Sequence, residues 1–265
     1  MSAVNLSIVC YFAACVLYFI CAIFERRMVG WIASATLTLG LISNGTAVIL
    51  RWHDAGHPPL SNMHESLVFI ASCIAATALT VELRYGLKII GALASLTALL
   101  ALGYASILDT TIAPLMPALK SNWLIIHVTT YFIAYGAATI AAIAAGAYLI
   151  MKWMHSPNEE FAGRLDTISY RLILFAFPFL TVGLTTGAVW ANIAWGRYWG
   201  WDPKETWSLV TWFVYALYLH VRTMRGWKGV RTAIIAVAGF VFIVFTFLGV
   251  NFLMSGLHSY AGSQD

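Results

Sequence analysis

Eight apolar runs long enough to cross a bilayer dominate this chain, at about 4–24, 29–50, 64–82, 87–107, 123–153, 168–194, 206–222 and 232–254. A hydrocarbon core about 30 Å thick needs roughly 20 residues of helix. Backbone polar groups in lipid must be satisfied within the segment, so runs of this length are helices. A membrane barrel would instead show short alternating segments, and none are seen. The expectation is an all-α polytopic membrane protein with about eight transmembrane helices, its 265 residues forming a single membrane domain. With 61% hydrophobic and only 10% charged residues, a soluble globular fold is excluded. The first run reads as a true span rather than a signal peptide, because its basic pair, Arg26 and Arg27, follows it.

The cations report orientation. Eleven of the fifteen Lys and Arg fall in or beside the loops after the first, third, fifth and seventh runs; only Arg51, Lys120, Arg197 and Lys204 lie on the other side. By the positive-inside rule both termini are expected on the non-cytoplasmic face. No basic groove or stripe is present, so no nucleic-acid partner is expected. Cys10, Cys15, Cys21 and Cys73 lie inside spans and form no Cys-x-x-Cys pair, so they read as small packing residues.

Six of the eleven tryptophans fall between Trp190 and Trp212. A belt of interfacial indoles accounts for Trp31, Trp52, Trp123, Trp153 and Trp227, but not for that density. The loop at 195–206 and its first following residue read Trp195-Gly196-Arg197-Tyr198-Trp199-Gly200-Trp201-Asp202-Pro203-Lys204-Glu205-Thr206-Trp207. Flat faces from Trp195, Tyr198, Trp199 and Trp201 suit a large planar ligand, and Arg197 and Lys204 suit its carboxylates. Asp202 before Pro203 is a helix-start signal, so Asp202 and Glu205 are expected to organise the loop rather than act as acid and base. The ligand this pattern fits is haem.

Two histidines bracket the loop in depth. His127 lies one turn into the fifth run from its outer end, and His258 lies just past the eighth. Haem iron takes two axial ligands, and neutral imidazole is a common one. Either histidine alone would read as a hydrogen-bonded interfacial side chain; together at the level of the loop they read as a clamp. His220 lies deep in the seventh run, about 21 Å from its outer end. An ionisable residue there is either a site or a side chain snorkelling to the inner headgroups. His64 begins the third run and reads as structural; His53 and His57 read as solvated loop residues.

These same residues carry a resemblance. Segment 195–207 resembles the tryptophan-rich "WWD" signature of haem-handling membrane proteins, and its Asp202-Pro203-Lys204-Glu205-Thr206 ending resembles the CcsA (ResC) branch. The stretches 59–66, 121–127, 217–220 and 256–260 resemble that family too. The resemblance implies the integral-membrane part of the System II cytochrome c synthase, acting with a CcsB/ResB partner on haem b and apocytochrome c. It implies that His127 and His258 ligate haem iron under the loop, with Trp195, Arg197, Tyr198, Trp199, Trp201, Asp202, Lys204 and Trp207 around it. It also implies an inner haem site at His220 whose second ligand belongs to the partner. Thioether bonds to the Cys-x-x-Cys-His motif of the apocytochrome would form at the outer site, on the periplasmic or lumenal side of a bacterial inner or thylakoid membrane. The competing readings are a haem-delivery protein similar to CcmC, without ligation; a haem sensor; and a solute transporter.

Overall fold

The computed structural model describes residues 2–254 and 256. Among them are eight helices and no strand: α1 (Ala3–Phe24), α2 (Arg27–Ala55), α3 (Met63–Tyr85), α4 (Lys88–Ser106), α5 (Asn122–Trp153), α6 (Glu159–Trp195), α7 (Pro203–Thr223) and α8 (Val230–Leu253). Seven have the length and apolar composition of membrane spans. The exception, α7, has spanning length but carries more polar residues, its first turn, Pro203–Thr206, preceding the apolar run. The protein is an all-α, multi-pass membrane protein. The tryptophans expected in a belt are all exposed: Trp31, Trp52, Trp123, Trp153 and Trp227.

The helices pack as two compact units, residues 1–115 and 116–265. Each is a ring of four helices. In the first, α1 neighbours α2 and α4, and α3 closes the ring between them. Close approach comes from rings set against glycines. A Cβ added at Gly40 of α2 would lie 2.6 Å from the Tyr11 ring of α1, and one at Gly91 of α4 would lie 2.6 Å from Tyr18. In lipid, where no hydrophobic effect drives helices together, such shape fit carries the association.

Two carboxylates of α3 pin this unit, one near each end. Glu65 accepts from Arg51 Nε of α2 at 2.7 Å and from the backbone and hydroxyl of Ser61, both at 2.8 Å. The same guanidinium donates to the Thr110 carbonyl at 2.9 Å, tying down the segment after α4. Near the other end, Glu82 is buried and accepts from Tyr18 of α1, Ser34 of α2 and Lys88 of α4, so one carboxylate joins all four helices. Charges inside a membrane protein are costly unless paired, and these are paired.

In the second unit α5 neighbours α6 and α8, and α7 closes the ring. A buried alanine face on α5, including Ala134, Ala137, Ala138, Ala141 and Ala145, gives the close contact expected of small residues. Tyr215 of α7 sits against Gly239 of α8, where a Cβ would lie 2.7 Å from the ring. Arg222 of α7 forms a bidentate pair with Asp166 of α6 at 2.6 and 2.9 Å, and Asp166 also accepts from the Gly229 backbone at 3.1 Å. Helix α6 runs through Pro178 without a break. Helix α8 contains one π turn, Phe245–Gly249, before its last helical turn.

Candidate functional site

The tryptophan-rich segment is a short connection held at both ends by helix caps. Helix α6 stops because Gly196 takes a left-handed conformation (φ 75°) and its N–H returns to the Asn192 carbonyl at 2.9 Å. Helix α7 starts at a complete capping box. Asp202 is the N-cap and accepts from the Lys204 backbone at 3.0 Å, while Glu205 reaches back to the Asp202 N–H at 3.1 Å. Pro203 occupies the first helical position, where its missing donor costs nothing.

Glu205 does more than cap. Its Oε2 also accepts from the Gly200 N–H at 2.7 Å, so one buried carboxylate gathers the loop backbone on both sides of Trp201. Trp201 is forced into a left-handed conformation (φ 58°) that a non-glycine residue rarely adopts. The strain is held by the bonds on either side, and it leaves the Trp201 indole 69% exposed. Trp199 meets its face edge-on at 5.8 Å, and Tyr198 is 60% exposed beside it. Arg197 folds over Gly200, where a Cβ would lie 2.6 Å from its Nε.

Other members of the loop face inward. Trp207 stacks on Phe242 at 5.8 Å and meets Phe245 at 4.5 Å, anchoring α7 to α8 at the π turn. Burial of the Lys204 amine pushes its pKa down to about 8, a shift the neighbouring Asp202 charge partly opposes. Lys204 is therefore a cation whose charge responds to mildly alkaline pH.

His127 belongs to this cluster. Its ring stacks on Trp190 at 6.0 Å and 19°, and Trp190 in turn meets Trp195 at 4.8 Å. Thus the start of α5 is joined through two indoles to the start of the loop. His127 Nδ1 lies 2.7 Å from the Gly183 carbonyl of α6. A carbonyl only accepts, so Nδ1 carries a proton; in the neutral ring Nε2 then holds the lone pair, the form in which imidazole ligates metals. His258 lies outside the described residues. Gly256, two residues earlier, is described, and its backbone reaches the N-cap of α7: a Cβ there would lie 2.5 Å from Asp202 Oδ2 and 3.1 Å from Pro203 Cδ.

The remaining histidines are elsewhere. His220 is exposed in the last turns of α7, 17 residues beyond Pro203 and so about 26 Å along the helix. It lies apart from the tryptophan cluster. His64 is buried and donates through Nδ1 to the Ala105 carbonyl at 2.9 Å, joining α3 to α4 as a structural residue would. His53 is solvent-exposed as expected, but it lies in the last turn of α2 rather than in a loop. His57 is not exposed: it is half-buried, its Nδ1 lies 3.1 Å from the Pro58 carbonyl, its Nε2 is enclosed, and the neighbouring Pro59 and Leu60 are buried. Sequence reasoning missed Gly183 and Gly187, which receive the rings of Tyr131 and His127. Their spacing of four along α6 was the available signal.

The profile of the family described as Cytochrome C assembly protein matches residues 60–258. The cytochrome c biogenesis protein CcsA of Gloeobacter violaceus is 35% identical, over 97% of this chain and 94% of its own length. This chain belongs to the CcsA family. The CcsA of Guillardia theta is 37% identical over 97% of this chain and 94% of its own. That of Chlamydomonas reinhardtii is 44% identical over 80% of this chain, which spans only 64% of that longer protein. Among solved structures, a chain described as the cytochrome c haem lyase CcmF shares the fold, with a TM-score of 0.66 at 16% identity. The match covers 93% of this CcsA-family chain and 46% of the CcmF chain. The protein thus has a role in cytochrome c maturation, and its tryptophan loop and His127 fall inside the matched family region.

Proposed function

We propose that this CcsA-family protein holds haem b as substrate at the tryptophan loop and, with a CcsB/ResB-like membrane partner, supports its covalent attachment to apocytochrome c. The observation that carries the reading is His127, whose Nδ1–H is committed to the Gly183 carbonyl beside the indole chain leading into the loop. That donor set fits iron–porphyrin. An imidazole with its lone pair on Nε2 suits the iron, the exposed phenol and indole faces at Tyr198 and Trp201, with half-buried Trp199 beside them, suit the ring, and Arg197 and Lys204 suit the propionates. Bound haem supplies vinyl groups that take the thiols of a Cys-x-x-Cys-His motif.

The chain's own contribution is placement. Asp202 and Glu205 fix the loop, Trp195 and Trp207 seat it on α6 and α8, and His127 with His258 sets the iron axis. Much of a barrier can be removed by holding reactants in register, which is what this scaffold is built to do. The site faces the periplasm or lumen of a bacterial inner or thylakoid membrane. His220, exposed near the far end of α7 beside exposed Leu217 and Phe213, is where haem enters, its second ligand coming from the partner.

The test is the absorbance spectrum and haem stoichiometry of the purified chain, beside a His127→Ala/His258→Ala double variant. A bis-histidine spectrum that the double variant loses supports the reading. An identical spectrum in both removes haem from the loop. Thioether product formed with only the CcsB-like partner present separates ligation from haem delivery alone.

A further inference from the structure

We infer that helix α6 is the positioning element for His127: the Gly183 carbonyl selects the imidazole tautomer, and the bare backbone at Gly187 gives the ring room to reach it. The inference rests on the reading of His127 as an iron ligand and goes beyond it, to the residues that make it one.

Four contacts from described residues surround the ring. Its Nδ1 is held by the Gly183 carbonyl at 2.7 Å. One flank lies against Gly187, where a Cβ would fall 2.5 Å from Cε1 and closer still to Nδ1. Tyr131, one turn further along α5, meets the ring edge-on at 5.0 Å and is itself seated on Gly183, where a Cβ would fall 2.7 Å from its ring. Trp190, nearly one turn beyond Gly187 on α6, covers a face at 6.0 Å, and its own indole N–H is tied to the Ala118 carbonyl at 2.8 Å. Two glycines one turn apart on α6 therefore receive two rings one turn apart on α5. A side chain at either glycine would push α5 and α6 apart or tip the imidazole off its acceptor.

The consequence is chemical as well as steric. Neutral imidazole has two tautomers, and only the one protonated on Nδ1 offers Nε2 to iron. A hydrogen bond from the distal N–H to a carbonyl fixes that tautomer and makes the ligand more basic, and loss of such an outer contact typically weakens metal affinity about 10–100-fold. A more basic ligand favours ferric iron, so loosening this bond raises the potential of whatever haem still binds.

The experiment is a titration of the purified full chain with ferric haem, comparing wild type, Gly187→Ala, His127→Ala and Gly163→Ala. Gly163 is also on α6, but a Cβ there meets nothing within 4 Å, so it controls for helix propensity. Gly187→Ala is expected to follow His127→Ala, with the low-spin spectrum lost or affinity lowered about 10–100-fold and any residual haem at a higher midpoint potential. Gly163→Ala is expected to follow wild type. Wild-type affinity, spectrum and potential in Gly187→Ala, with His127→Ala defective, overturns the inference alone. A wild-type spectrum in His127→Ala overturns the iron-ligand reading and this inference with it. Should Gly187→Ala fail to fold, ¹⁵N-histidine NMR of the haem-free wild type decides, with His127→Gln for assignment. Protonation of His127 on Nδ1 is expected, and protonation on Nε2 overturns the inference.

Discussion

Asp202 and Glu205 cap each other: the Asp202 carboxylate holds the Lys204 backbone at 3.0 Å, while Glu205 holds the Asp202 backbone at 3.1 Å and that of Gly200 at 2.7 Å. The acidic residues of the tryptophan loop are thus mutual braces. Their removal should unmake the loop before it unmakes the fold. Glu205→Ala frees Gly200 and relieves Trp201 of its left-handed conformation at once. Loss of a cap costs about 1 kcal/mol of helix stability, too little to unfold the four packed helices of its unit. The expected outcome is a folded protein with at least about tenfold less cytochrome c product, since misplacement of about 1 Å can cost 10²-fold. Melting temperature and holocytochrome yield measured together check this; full yield in Glu205→Ala would show that the loop is held by other contacts.

Lys204 makes the site pH-sensitive in a defined direction. Its amine, in the turn that precedes the apolar run of α7, has a pKa of about 8 against an ordinary value near 10.5. Between those values the unfolded chain keeps a proton that the folded chain has released. The folded state is therefore penalised below pH 8 and gains stability as pH rises through that window. Attraction for a carboxylate runs the opposite way and fades as pH rises through about 8. Haem affinity should decline above pH 8 in wild type, decline later in Lys204→Arg, and be flat across the same range in Lys204→Met. A Lys204→Met variant with the wild-type pH profile would assign the dependence to another group.

Helix number was legible because a bilayer imposes a length on every span, and the apolar runs met it. The starts of helices were less so. Helix α6 begins nine residues before its apolar run, because Asn158 caps it at Phe161 N and the first turns are polar, lying outside any hydrophobicity window. Helix α7 begins at Pro203 rather than 206 for the same reason, although Asp202, Pro203 and Glu205 spell its cap. The loop's chemistry was readable because it is local: cations, indoles and caps sit within thirteen residues. What held His127 was only partly readable: the four-residue spacing of Gly183 and Gly187 is visible, but their pairing with α5 is not. The carbonyl and the two glycines that receive its helix are 56 to 60 positions away, and a helix does not state in its own sequence which face its neighbour will present. His57, read as solvated, is half-buried in a loop whose Pro59 and Leu60 are buried, and nothing in the loop's polar sequence announces that burial.

Glu82 and Lys88 offer a test of how the first unit is held. Glu82 is buried and joins α1, α2 and α4, while Lys88 also donates to Ser34 at 2.7 Å and lies over the Trp31 ring at 4.7 Å. Removing one member of a buried ion pair typically costs about 3–5 kcal/mol, because the other charge is stranded, whereas removing both is far milder. Lys88→Met should lower the melting temperature in detergent sharply, and Glu82→Gln/Lys88→Met should recover most of the loss. Additive losses in the double variant would mean that the two side chains act independently.

His220 separates binding from stability most cleanly. It is exposed on α7, and its neighbours along that face, Leu217 and Met224, are exposed as well. Surface substitutions away from caps and networks usually change stability by less than about 0.5 kcal/mol. If the residue is a haem ligand completed by the partner, His220→Ala should leave the melting temperature of the isolated chain unchanged. Haem carried by the complex with the CcsB-like partner should fall, and added imidazole should restore it, because the vacated axial position accepts a free ligand. The isolated chain should show no such difference at this position, since it supplies only one of the two ligands. Undiminished haem in the His220→Ala complex would place the entry site elsewhere, and a lowered melting temperature without haem loss would make His220 a packing residue.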